Sequence, residues 1–144
     1  MGALRVPAVK ALGSNALVLP RAGGYTETFN LVAHRRLLGS QDTALSKFLR
    51  AVERAEQFIQ HQPDEAKAVL CKRLQPDQAF VDWVWPNLGF RLALDPSLPS
   101  TMESEARWAL REVRVKGQSR PNFLILLHPA PLGGVKPTAV GIGR

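Results

Sequence analysis

Between Asp42 and Ile59 the apolar residues Leu45, Phe48, Leu49, Val52, Ala55, Phe58 and Ile59 recur three and four positions apart. Only an α-helix puts residues at that spacing on one face, so this stretch is expected to be a long amphipathic helix with Asp42 as its N-cap. The opposite face carries Lys47, Arg50, Glu53, Arg54 and Gln57, a mixture suited to water. Whatever else the chain builds must pack against the apolar stripe.

Beyond Ile59 the chain is punctuated by prolines and acids. Pro63-Asp64-Glu65 restarts a helix, because proline is tolerated at the first helical position and carboxylates favour the positive end of the helix dipole. Ala66, Val69, Leu70 and Leu74 are expected on its inner face. The same device recurs at Pro76-Asp77 before "QAFVDWVW", where Phe80, Val84 and Trp83 share a face suited to core packing, and Pro86 ends it. A further helical face appears in "DPSLPSTMESEARWALREVRV" as Leu98, Met102, Ala106, Ala109, Leu110 and Val113. The last apolar run, "RPNFLILLHPAPLGGVKPTAV", is hemmed in by Pro121, Pro129, Pro131 and Pro137 and reads as a short element followed by a packed irregular tail.

Three stretches have strand character. "ALVLP" is a short apolar run stopped by Pro20; "YTETFNLVA" alternates Tyr25, Glu27, Phe29, Leu31 and Ala33 with Thr26, Thr28, Asn30 and Val32 after the Gly23-Gly24 turn; "NLGFRLALD" alternates Leu88, Phe90, Leu92 and Leu94 with Gly89, Arg91, Ala93 and Asp95. A period of two predicts strands with one buried face. Residues 1 to 15 hold a short apolar pattern, Leu4, Val9 and Leu12, ended by Gly13, Ser14 and Asn15 as the last turns of a helix would be.

The chain's 144 residues suit one ordinary domain, and its formal charge is +7, from 19 Lys and Arg against 12 Asp and Glu. The cations are dispersed and interleaved with acids, so they read as a solvated basic surface rather than a phosphate track, and no nucleic-acid partner is expected. Cys71 is the single cysteine, which excludes an intrachain disulfide and a thiolate-rich zinc site; its place in "EAKAVLCKRL" reads as a buried, inert thiol. His34, His61 and His128 lack metal-ligand spacing and read as surface or capping residues. No cofactor or metal is expected. "GGVKP" at residues 133 to 137 lacks the spacing of a phosphate cradle, and Glu103 and Glu105 point to different sides of a helix, so no acid/base pair is visible and no enzyme is expected. Pro7, Lys10, Gly13, Ser14 and Asn15 break every apolar run near the start, so no signal peptide is read there, and no segment has the length of a membrane span.

Tyr25, Thr26 and Thr28 differ in kind from the core-forming residues. They follow a Gly-Gly turn at a strand start, where hydroxyls are presented at the end of a sheet rather than within a core; ordinary strand residues are the other reading of them.

The phrases "ALGSNALVLPRAGGYTETFNLVAHRRLL", "LSKFLRAVERAEQFIQHQPDEAKAVL", "FRLALDPSLPSTMESEARWALRE" and "RPNFLILLHPAPLGGVKPTAV" resemble, in their order, the substrate-binding proteins of bacterial ABC importers for nitrate, taurine, alkanesulfonates and thiamine precursors. The likeness is diffuse and runs over roughly residues 10 to 140; "FIQHQPDEAKAVL" before "FRLALD" is its most telling part. The resemblance implies an α/β, helix-rich chain forming an incomplete type II periplasmic-binding-protein-like fold, with about two to four short strands and about five helices. It implies that residues 1–20 are a remnant of the second lobe and crossover, and that residues 21–144 are the C-terminal portion of the first lobe with its packing helices. "YTETFNLVA" would then be the strand returning to that lobe, its sheet neighbours lying in a first half that this chain lacks or that a partner supplies. The implied role is non-enzymatic: binding a small solute, anionic ones included, and delivering it to an ABC permease, with Tyr25, Thr26 and Thr28 at the start of the returning strand as the ligand-binding residues that the resemblance carries over. The implied compartment is the periplasm, although without a signal the chain as written would stay in the cytoplasm. Two features depart from the family pattern, Ile125 where an acid is usual and the glycines of "GGVKP" where larger residues are usual. A small basic helical interaction or nucleic-acid-binding module is the alternative reading.

Overall fold

The computed structural model describes residues 9, 11–17, 27–112 and 121–142. Five α-helices have both ends among them: α1, Asp42–His61; α2, Pro63–Leu74; α3, Gln78–Val84; α4, Ser97–Arg111; and α5, Ala130–Val135, while Val9, Ala11 and Leu12 are helical too. Short 3-10 turns at Gly13–Asn15, Arg35–Leu37, Trp85–Asn87, Phe123–Leu126 and Pro137–Ala139 connect or flank them. The chain divides into two units, one built from residues 1–32 and 62–89 and the other from residues 33–61 and 90–144.

In the first unit, α2 packs on α3. Pro63 opens α2 with Asp64 and Glu65 in its first turn, as expected from the dipole, and the helix ends at Gln75. Gln75 has a left-handed backbone, φ 54°, and its N–H donates to the Cys71 carbonyl, which satisfies one of the helix's orphan acceptors. Asp77 caps α3 by accepting from the Ala79 N–H at 2.9 Å, and Pro86 lies in the 3-10 turn after the helix. Among the described residues of this unit the buried ones are Ala66 of α2 and Val81 of α3, the latter 1% exposed. Val69 and Leu74, expected on the inner face, are exposed, and Trp83 meets Phe80 ring to ring at 6.4 Å while staying nearly half exposed. The deepest position of α3 is therefore Val81 rather than the Phe80–Val84 face.

In the second unit α1 packs on α5, and α4 packs on the Phe123–Leu126 turn. Asp42 is not the N-cap of α1. It is the first helical residue and accepts from the N–H of Gly39, which lies upstream with φ 78°, a conformation that favours glycine. Asp95 prepares α4 instead, its Oδ1 accepting from the Ser97 N–H at 2.9 Å and from the Ser97 hydroxyl at 2.7 Å. The inner face of α4 follows the sequence pattern, with Leu98, Met102, Ala106, Ala109 and Leu110 all partly buried and Trp108 on the exposed side.

The expected α/β architecture is not what the described residues form. No strand occurs among them. Residues 27–33 belong to no helix or ladder, and Phe29 and Val32 are 87% and 91% exposed, so the alternation there buries nothing. "NLGFRLALD" contributes one residue to pairing: Leu94 forms an isolated parallel bridge with Val140, its N–H donating to the Ala139 carbonyl at 2.8 Å and its carbonyl accepting from the Gly141 N–H at 3.0 Å. The physical reason is that strand propensity is realised only through neighbours. A period-two pattern fits a pleated, half-buried surface, and without a second edge the backbone remains hydrated. The expected "ALVLP" strand lies largely outside the described residues, as do Leu4 of the N-terminal pattern and Val113 of the α4 pattern.

Candidate functional site

Of the three candidate ligand-binding residues, Tyr25 and Thr26 lie outside the described residues and Thr28 is exposed. The polar groups that the structure brings together are others.

The most buried of them is Glu56, on α1 and 9% exposed. Its Oε1 accepts from Lys136 Nζ at 2.6 Å and from Gln60 Nε2 at 3.3 Å, and its Oε2 accepts from the Leu92 backbone N–H at 2.7 Å. Lys136 stands immediately after α5, so one carboxylate gathers three stretches of chain that are far apart in sequence. Burial acts to raise the Glu56 pKa, but the hydrogen bonds from Lys136 and Leu92, with the Lys136 charge and Gln60, outweigh it and hold the carboxyl below its ordinary range. A buried carboxylate needs such company, because an unpaired one would be far too costly to desolvate.

A second pair closes the start of α1. His128 Nε2 lies 2.9 Å from Asp42 Oδ1, and both side chains are about one-third exposed. Asp42 is held below the ordinary carboxylate range by the His128 hydrogen bond first and the Gly39 N–H second. His34 caps the Arg35–Leu37 turn, its Nδ1 accepting from the Arg36 N–H at 3.2 Å, as its reading as a capping residue anticipates.

In the first unit, Lys67 reaches Asp82 at 3.1 Å and Asp64 at 3.6 Å and lies 5.7 Å from the centre of the Trp85 ring. The Asp82 hydrogen bond raises the Lys67 pKa, and the same contact, with Gln78, lowers that of Asp82. Cys71 is half-buried, its thiol donating to Gln78 Oε1 at 3.2 Å. Among the described residues no group of His, Cys, Asp or Glu has the arrangement to hold a metal ion, and no helix is long and apolar enough to cross a membrane.

Glu56 is the functional-looking residue that pattern reading passes over, and a signal for it exists. It sits on the apolar stripe of α1, four residues after Val52 and three before Ile59. A charge on a core face calls for a buried partner. Comparison with known proteins finds no matching family model, curated protein or solved structure.

Proposed function

We propose that the chain is a non-enzymatic solute-binding component of an ABC-type importer, for a small solute such as nitrate, taurine, a sulfonate or a thiamine precursor, and that it acts joined to further polypeptide. The ordered sequence phrases from "ALGSNALVLP" to "VKPTAV" support the first half of this reading. The observation that carries the second half is the apolar surface. Phe29, Leu31 and Val32 in one unit, and Leu124, Ile125 and Leu126 in the other, are each more than half exposed. A large apolar side chain left in water forgoes about 1.5–3 kcal/mol of burial, and clusters of them mark surfaces that meet a partner. The ABC permease and the polypeptide completing the solute's surroundings are the proposed partners, the periplasm the proposed compartment, and Tyr25, Thr26 and Thr28 the proposed contacts. A small polar solute gains its affinity from walls on several sides, so the chain alone has little to offer it.

Titrating taurine, nitrate and an aminopyrimidine into the isolated chain should give no saturable heat up to about 1 mM, and micromolar affinity would overturn its need for further polypeptide. A strain lacking the chain should lose uptake of one labelled solute among nitrate, taurine, an alkanesulfonate and a thiamine precursor. Undiminished uptake of all four would sink the importer reading.

A specific feature favours the basic-module alternative: Lys47, Arg50 and Arg54 are all exposed along one stripe of α1. If they track three phosphates, log K for duplex DNA should fall against log salt with a slope of about −3.

A further inference from the structure

The turn Phe123–Leu126 displays apolar side chains instead of hiding them. It is a formed turn: Asn122 Oδ1 accepts from the Leu124 N–H at 3.1 Å at its start, and the Leu127 N–H donates to the Leu124 carbonyl at 3.3 Å at its end. Phe123 and Leu127 are partly buried and anchor it, while Leu124, Ile125 and Leu126 between them are all more than half exposed, Ile125 at 71%. Helix α4, which packs on this turn, carries the half-exposed Trp108, with Arg107 before it and Arg111 three positions after it both exposed. Three consecutive large aliphatic residues at the apex of a formed turn call for an apolar phase to cover them.

The charge around the turn points to which phase that is. Cations interleave with acids over most of the chain, but from Val113 to Arg144 no Asp or Glu occurs, and Arg114, Lys116 and Arg120 lead into the turn. The unit formed by residues 33–61 and 90–144 holds 13 Lys and Arg against 7 Asp and Glu, so +6 of the formal +7 belongs to it. A second copy of the chain is disfavoured at this patch, because self-association would set like charges against each other. Nucleic acid would match the charge but not the apex, since Leu and Ile have no ring face on which a base could stack. An anionic bilayer matches both: the hydrocarbon edge takes the aliphatic side chains, and the headgroups take the cations.

We propose that Leu124, Ile125 and Leu126 form a peripheral membrane-docking loop, which enters the interfacial layer of a bilayer rich in anionic phospholipid while Arg107, Arg111 and the cations leading into the turn meet the headgroups. Neither part suffices alone: three side chains bring too little apolar area for stable anchoring, and a cationic flank without them gives only a screened attraction. The association is therefore reversible and salt-sensitive. It lies on the membrane rather than across it, in keeping with the lack of a membrane-crossing helix among the described residues. The inference goes beyond the importer reading and stands without it, and it leaves Phe29, Leu31 and Val32 as the surface offered to further polypeptide.

Flotation of the full chain with lipid vesicles tests it. At about 50 mM salt the chain should float with phosphatidylcholine vesicles in which roughly one-third of the lipid is phosphatidylglycerol, bind pure phosphatidylcholine at least about tenfold more weakly, and be released from both by about 500 mM salt. Leu124→Ser combined with Ile125→Ser should weaken binding by about tenfold or more at an unchanged melting midpoint, since both side chains already face water. Ile125→Trp should tighten it, a gain that misfolding does not produce. The proposal is overturned if the parent ignores the anionic vesicles at low salt, or if Ile125→Trp brings no gain. It is equally overturned if the double serine variant binds as the parent does, which would leave a purely basic surface of the kind nucleic acid favours, or if sedimentation equilibrium finds a dimer that the serines dissolve, which would give the apex to a second copy.

Discussion

Gly141→Ala is the sharpest perturbation that the fold allows. A Cβ at this position would stand 2.7 Å from Cδ and 2.9 Å from Cγ of Pro96, and 3.5 Å from the Leu94 carbonyl oxygen. Carbon atoms rest about 3.5–4.0 Å apart, so relief requires a displacement of roughly 1 Å, and a proline ring cannot swing aside as a flexible side chain could. The displaced backbone is the one that pairs with Leu94 through bonds of 2.8 and 3.0 Å. Losing both costs about 1–3 kcal/mol, the range also found for forcing a methyl group into a filled site; the two describe one displacement and are not added. The expected loss is about 2 kcal/mol, or roughly 10 °C in the melting of this unit. Urea unfolding monitored by circular dichroism measures it, with the Leu94 amide as local reporter. Gly134→Ala is the matched control: it meets open space and places a better helix former in α5, so it should be neutral or stabilising. If Gly141→Ala unfolds within about 0.5 kcal/mol of the parent with its Leu94 amide still protected, the bridge does not hold this part of the chain.

Acid should weaken the unit formed by residues 33–61 and 90–144. Asp42, Glu56 and Asp95 all have carboxyls held below the ordinary range, Asp95 by the Ser97 hydroxyl and N–H ahead of Arg91. A lowered folded-state pKa contributes stability that is complete above the unfolded value, about 4, and is lost as pH falls through the folded one; helical ellipticity should be flat from about pH 7 to 5 and decline below about 4, and a decline centred above pH 5 would contradict the assignment. In the other unit, Gln75→Gly should stabilise by about 1 kcal/mol, because Gln75 carries a left-handed φ of 54° that glycine adopts without penalty. Thermal melting of the two proteins checks this, and a lowered midpoint would refute it.

Helices were legible in the sequence because their evidence is local. The Leu45–Ile59 spacing, the Pro63 and Asp77 starts and the inner face of α4 each need only a few neighbouring residues to be recognised, and each has its counterpart in α1 to α4. Strands were not, because an alternating stretch says only that it would suit a sheet, and whether a second edge lies beside it is decided elsewhere in the chain. Residues 27–33 and 88–95 alternate equally well; Leu94 alone of them finds a pairing partner among the described residues. The polar cluster fell between these cases. A carboxylate on the apolar stripe of α1 was visible at Glu56, but its partners Lys136 and Leu92 lie 80 and 36 residues away, a separation that no local period encodes.

The division of the chain into residues 1–32 with 62–89, and 33–61 with 90–144, makes the two units interleaved. Neither can be excised, shuffled or inherited as a single uninterrupted cassette, and a nick between His61 and Gln62 would leave each unit as two separate peptides held by noncovalent contacts alone.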